Sequence, residues 1–300
     1  MPQVTDLYYV ALAVPDLAAE RRFFGDTWGL VEVAEQAGQV YFAAAGSAHP
    51  YVIRLRQDER KKTDLISFLA ADRAAVEALF ERISMLGAKV IAPPAAAAGP
   101  AGGYRFRFFD PDGRAIEVIS DVAHRDPRVL KVGEAIPIGL SHIVLHTPDV
   151  QKLQHFYTQA LGFRVTDWIG EFMVFLRCNA AHHRLAILPG PPALNHVAFD
   201  VSSIDELMRG LARMTASGVP LQWGPGRHTA GNNTFSYYTT PNGNTVEYTS
   251  DLESVDESWQ PTTYAFTPSI TDQWGTGRII PGNAPHAEMH PDGGLWKIPT

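Results

Sequence analysis

Cysteine is almost absent: Cys178 is the only one in 300 residues. An internal disulfide is therefore excluded, and the usage suits a reducing compartment. Long apolar runs are missing too, and none approaches the length of a membrane span. The opening MPQVTDLYYVALAVPD has no basic segment and meets Asp6 and Asp16 early, unlike a secretory leader. A soluble, cytoplasmic protein is expected, with no membrane partner. Positive charge is in short supply, with 25 Lys and Arg against 32 Asp and Glu and a net charge of −7. No basic run could follow a phosphate backbone, so nucleic acid is not an expected partner.

What the chain does have is a repeat. At 45% hydrophobic content it can fill one large or two ordinary cores. LYYVALAVPDLAAERRFFGDTWGL (residues 7–30) lies over LSHIVLHTPDVQKLQHFYTQALGF (residues 140–163), matching Pro15 to Pro148, Asp16 to Asp149, Phe23 to Phe156 and Gly29 to Gly162. FFDPDGRAIEVISD (residues 108–121) lies likewise over YTTPNGNTVEYTSD (residues 238–251). Internal self-similarity decides architecture before any motif does. Within each copy, a short apolar run, a helical period and three β-like runs occur twice. The expected fold is α+β, with four βαβββ modules paired into two tandem barrel-like domains. The expected divisions are 1–121, a linker at 122–139, a second copy at 140–251, and a Pro-, Gly- and Trp-rich tail at 252–300.

The stretch at 224–251 is the richest in chemistry. A Gly-rich loop with His228 leads into a strand with Tyr237, a Pro241-Asn242-Gly243 turn and a strand bearing Glu247. A carboxylate inside a strand must face water, a counter-charge or a metal, because an unpaired buried charge is costly. Comparing the copies, His142 faces Tyr9, His196 is matched to Phe68, and Glu247 to Glu117. Only the second copy carries two histidines with the glutamate. If its strands curl into one incomplete barrel, the three side chains converge as a two-histidine, one-carboxylate face that holds a metal with positions left open.

On these residues the sequence resembles the type I extradiol ring-cleaving dioxygenases of the vicinal oxygen chelate superfamily. The resemblance covers roughly residues 5–251, and its specific part is the second copy. It implies that LSHIVL, LNHVAFD and NTVEYTSD supply His142, His196 and Glu247 as ligands of Fe(II), with Mn(II) accepted by the same donors. It implies a small aromatic diol and dioxygen as substrates, and assembly as a homo-oligomer. His228 and Tyr237 carry over as groups that hydrogen-bond the substrate. One of His182 and His183 carries over as the acid/base beside dioxygen, and His183 is favoured because it directly precedes the RLAI run. Relatives acting on carboxylated catechols place an arginine immediately before GPGRH, where this chain has Trp223. A neutral or hydrophobic substituted catechol is therefore expected, stacked on Trp223 or Trp168. The tail, with Trp259, Trp274 and Arg278, is expected to fold over the cavity. His146 shares a strand face with His142, His155 sits on a helix, and His49, His124, His286 and His290 are given no role. Two other readings use the same scaffold: a glyoxalase-type metal-dependent isomerase or transferase, and a small-ligand-binding protein without catalysis.

Overall fold

The computed structural model describes residues 3–267 and 269–277. Arg278, His286 and His290 lie outside them.

Four modules follow one another. The first is β1 (Val4–Val14), α1 (Leu17–Arg22), β2 (Val31–Gln36), β3 (Gln39–Ala43) and β4 (Ile53–Gln57). The second is β5 (Lys62–Ala70), α2 (Arg73–Met85), β6 (Val90–Ala96), β7 (Tyr104–Phe109) and β8 (Ala115–Ser120). The third is β9 (Gly139–Thr147), α3 (Val150–Leu161), β10 (Arg164–Ile169), β11 (Met173–Arg177) and β12 (Leu185–Pro189). The fourth is β13 (Ala193–Asp200), α4 (Ile204–Ala216), β14 (Leu221–Arg227), β15 (Thr234–Thr239) and β16 (Thr245–Ser250), after which β17 (Thr262–Tyr264) forms in the tail. Each helix starts the same way: Asp16, Asp72, Asp149 and Ser203 accept a hydrogen bond from a first-turn backbone N–H, satisfying a donor the helix leaves orphaned. Pro93 and Pro94 are tolerated in β6 because it is an edge strand, paired irregularly to β7 alone.

Each copy makes one sheet, β2-β3-β4-β1-β5-β8-β7-β6 and β14-β15-β16-β13-β9-β12-β11-β10-β17, joined at its centre by the antiparallel first strands of its two modules. In the second sheet β14 and β10 are seven steps apart, about 34 Å if flat at the usual strand spacing. Yet Trp223 on β14 and Ile169 on β10 line one cavity, so the sheet curls into an open barrel. Alternation along the strands then sorts the side chains. On β9, Ile143 and Leu145 join the core beneath the helices, while Val144, like His142, faces the cavity.

The register corrects one match between the copies. Ala198 pairs with both His142 and Glu247, and Ser67 pairs with both Tyr9 and Glu117. His196, two residues before Ala198, therefore corresponds to Leu65, not Phe68, and Phe68 corresponds to Phe199. A slip of three residues puts a side chain on the wrong face. Leu65 accordingly packs inside the first barrel with Tyr9, and Phe68 packs in the core on the other side.

That outer core runs without a break through both copies. A π-helical turn, Phe23–Thr27, follows α1 and buries Trp28, whose indole stacks on Tyr248 with centroids 3.8 Å apart. Gly29 sits at φ 89°, and a Cβ there would lie 2.4 Å from Ile136 Cγ2, so only glycine lets the connecting segment pass. Glu20 of α1 is fully buried against the Pro241-Asn242-Gly243 turn of the other copy. It accepts from Thr240 Oγ1 (2.7 Å), Asn242 Nδ2 (2.8 Å) and Asn244 Nδ2 (3.0 Å).

Candidate active site

β9, β13 and β16 are neighbours in the curled sheet, and each turns one polar side chain inward. The structure brings His142, His196 and Glu247 together, all buried, with one donor atom from each within 4.8 Å of the others. Glu247 Oε2 lies 3.3 Å from His142 Nε2 and 3.1 Å from His196 Nε2. Neither oxygen of Glu247 accepts a hydrogen bond of ordinary geometry among the described residues. Burial alone would raise its pKa, whereas protons on the two imidazoles beside it would draw it well below the usual carboxylate range.

The far side of each ring is held. His142 Nδ1 lies 3.2 Å from Ser141 Oγ, and His196 Nδ1 lies 2.6 Å from Asn195 Oδ1. Asn195 Nδ2 is 2.6 Å from His146 Nε2, and His146 Nδ1 is 3.0 Å from the Pro189 carbonyl. A carbonyl only accepts, so His146 carries its proton on Nδ1 and receives the Asn195 amide on Nε2. Asn195 Oδ1 in turn takes the Nδ1 proton of His196, which leaves the His196 Nε2 lone pair turned to Glu247. Burial lowers the pKa of His146 and of His196, which keeps both neutral donors. Asn195 is a polar residue that sequence reading passed over; its position directly before His196 was the one available signal.

A buried carboxylate with an imidazole nitrogen on either side of it suits a divalent cation. These three residues fit a bound metal ion.

A cavity of about 330 Å³ opens over the trio, walled by apolar side chains that include Ile169, Phe175, Leu188 and Trp223. No lysine or arginine lines it among the described residues. His183 lines it, with its ring centroid 4.3 Å from that of His142. His182 lies behind, fully buried, with Nε2 2.9 Å from Asp167 Oδ2 and Nδ1 3.0 Å from His183 Nδ1. Asp167 takes the Nε2 proton of His182, so His182 Nδ1 accepts from His183 Nδ1–H. Nε2 of His183 is then the proton acceptor of the ring in the cavity. Burial, reinforced by His142 and His182, pushes the His183 pKa well below the ordinary histidine value.

On the other wall, Tyr237 and Trp223 stack at 5.1 Å with planes 16° apart. Gly224 and Gly226 let β14 lie against β15; a Cβ at Gly226 would meet Phe235 Cζ at 2.4 Å. His228 Nδ1 is 2.6 Å from the Thr271 carbonyl and Nε2 is 3.0 Å from Tyr237 Oη. The carbonyl takes the Nδ1 proton, so Nε2 accepts from the tyrosine hydroxyl, whose oxygen remains an acceptor toward the cavity. Burial draws the His228 pKa down to about 4 and pushes Tyr237 well above its ordinary value.

Trp168 does not join this site. Ile169 faces the cavity, and its neighbour on β10 packs on the core of the opposite face, because successive strand residues alternate. The tail does join it. Phe266, Ile270 and Thr271 line the cavity, and β17 pairs with β10, where the Thr262 N–H donates to Asp167 Oδ1 at 2.7 Å. Trp259 Nε1 donates to the Thr166 carbonyl at 3.0 Å. Asp167 carried no sequence signal, since its partners lie 15 and 95 residues away.

The profile of the glyoxalase/bleomycin resistance protein/dioxygenase superfamily matches residues 7–118 and 139–248. The chain is similar to metapyrocatechase 2 of Cupriavidus necator, 29% identical over 297 residues, covering 91% of this chain and 89% of that protein. It is similar to biphenyl-2,3-diol 1,2-dioxygenase of Paraburkholderia xenovorans, 30% identical over 273 residues, covering 85% and 91%. Among solved structures it is similar to the Mn(II)-bound glyoxalase from Novosphingobium aromaticivorans, with a TM-score of 0.96 and 48% identity, covering 99% of this chain and 98% of that one.

Proposed function

The chain belongs to the glyoxalase/bleomycin resistance protein/dioxygenase superfamily, and from that premise we propose that it cleaves the ring of a neutral, substituted catechol in the extradiol manner, placing both atoms of dioxygen in the product. The observation that carries this reading is the set of proton-handling groups, His183 on one wall and Tyr237 with His228 on the other, around a buried two-histidine, one-carboxylate trio.

His142, His196 and Glu247 would hold Fe(II) or Mn(II). When bound, the metal supplies Lewis acidity and an electron path between a diol and dioxygen. The remaining work falls to the chain. Tyr237 Oη, whose own proton is committed to His228, would accept a hydrogen bond from a substrate hydroxyl and orient the ring along Trp223. His183 Nε2 would take a proton and later return it to oxygen as the O–O bond breaks; Asp167, acting through His182, stabilises the imidazolium between those moments. The apolar wall excludes water and, lacking a described cation, favours uncharged ring substituents.

A second reading, glyoxalase-type isomerisation or transfer, is favoured by the description of the relative at 48% identity. Against it stand His183, Tyr237 and His228, which that chemistry does not require. The deciding experiment is anaerobic loading with Fe(II) or Mn(II), then oxygen uptake and visible absorbance with catechol, 3-methylcatechol and 2,3-dihydroxybiphenyl. A yellow product formed with stoichiometric oxygen, and lost in His142→Ala and Glu247→Ala, is the expected outcome. Metal-loaded protein that consumes no oxygen with any of them, yet isomerises a hemithioacetal, would establish the second reading instead.

A further inference from the structure

The first copy has a cavity of its own, about 260 Å³, at the place that mirrors the active site. Tyr9 and Glu117 line it from the positions matched to His142 and Glu247. Unlike Glu247, Glu117 is saturated. Its Oε1 accepts from Tyr9 Oη at 3.0 Å and Ser67 Oγ at 2.9 Å, and its Oε2 accepts from Arg107 Nε at 2.7 Å. Nothing there calls for a metal.

The walls call for something else. Arg54, Arg105 and Arg107 reach the cavity together with Tyr41 and Tyr51. Two ion-pair networks meet at it: Arg54, Arg56 and Lys62 with Asp58 and Asp64, and Arg105 and Arg107 with Glu117. Five cations face three anions, a local surplus of two positive charges in a chain whose net charge is −7. Arg105 reaches Glu117 through Nε at 3.4 Å, and the buried Nε of Arg54 has no hydrogen-bond partner among the described residues. Burial and the neighbouring Arg107 lower the Arg105 pKa, the mark of a guanidinium short of a counter-charge. A planar fork of N–H donors matches a carboxylate, and the three tyrosines, whose rings meet edge-on with centroids 4.8 to 4.9 Å apart, offer an aromatic wall beside it.

We infer that the first copy binds a small aromatic carboxylate, its carboxylate held by Arg105 and Arg107 and its ring against Tyr9, Tyr41 and Tyr51. This stands independently of the reaction assigned to the second copy. The test is calorimetric titration of the full, metal-free chain with benzoate, with benzamide and inorganic phosphate as comparisons. One saturable benzoate site is expected, about 10- to 100-fold weaker in Arg105→Gln and unchanged in Trp223→Ala, with benzamide silent. Absence of saturable binding would overturn the inference, as would binding that follows Trp223→Ala but ignores Arg105→Gln, or phosphate binding as tight as benzoate. Should Arg105→Gln not fold, the side-chain Nε–H signals of Arg105 and Arg107 in the unaltered protein decide: movement on benzoate addition supports the site, and stillness while benzoate binds refutes it.

Discussion

Residues that touch no substrate set the behaviour of those that would. Asn195 fixes the His196 tautomer, so Asn195→Ala should weaken metal binding by about 10- to 100-fold, measured by titration of the chelator-stripped protein. Asp167→Asn keeps the shape of its side chain but can no longer compensate a charged His182–His183 pair. It should lower kcat by about tenfold or more while leaving metal content and KM in place; unchanged steady-state kinetics would end the proposed relay. Trp223→Arg should shift preference from methyl and aryl catechols toward carboxymethyl catechol, read as the ratio of kcat/KM values. That His142 and Glu247 stand out was legible because the repeat set them against counterparts that differ or match in one and the same sequence. Leu65 was misjudged in favour of Phe68 because an apolar strand read without its partner has no fixed register. Trp168 was misjudged because its alternation is settled only when the neighbouring strand faces the cavity.

Among the elements, β17 carries more consequence than its three residues suggest. It is the parallel partner of β10, and it ties the tail to the distal histidines through a single backbone N–H. Thr262→Pro deletes that donor. The expected result is a lower kcat with secondary structure retained, and a variant as active as the parent would show that Asp167 needs no such anchor. Thr271 does the same on the opposite wall, where its carbonyl chooses the tautomer of His228. Helices, hairpins and the fourfold module were readable from period and turn chemistry. The tail was not, because its order comes from pairing with strands about a hundred residues upstream rather than from any period of its own.

At the scale of the whole molecule, four buried histidines make acid work against the fold. Burial holds the pKa values of His146, His183, His196 and His228 below their unfolded value, so the unfolded chain binds more protons than the native one as pH falls. Their contribution is complete above about pH 6.5 and is lost toward pH 4. Metal-free protein should therefore melt progressively earlier between pH 7 and pH 5, and a melting temperature flat across that range would contradict neutral imidazoles at these four buried positions. Glu20→Ala would strip acceptors from buried donors of the opposite copy, with an expected loss of about 2–4 kcal/mol in chemical denaturation. The stack of Trp28 on Tyr248 belongs to the same seam, and Tyr248 follows Glu247 directly. A genetic screen for lost activity should accordingly recover lesions in the half that holds no metal donors, and Trp28 should be among the first of them. A half with no two-histidine, one-carboxylate trio of its own thus holds the strand that carries Glu247 in place, through this one indole.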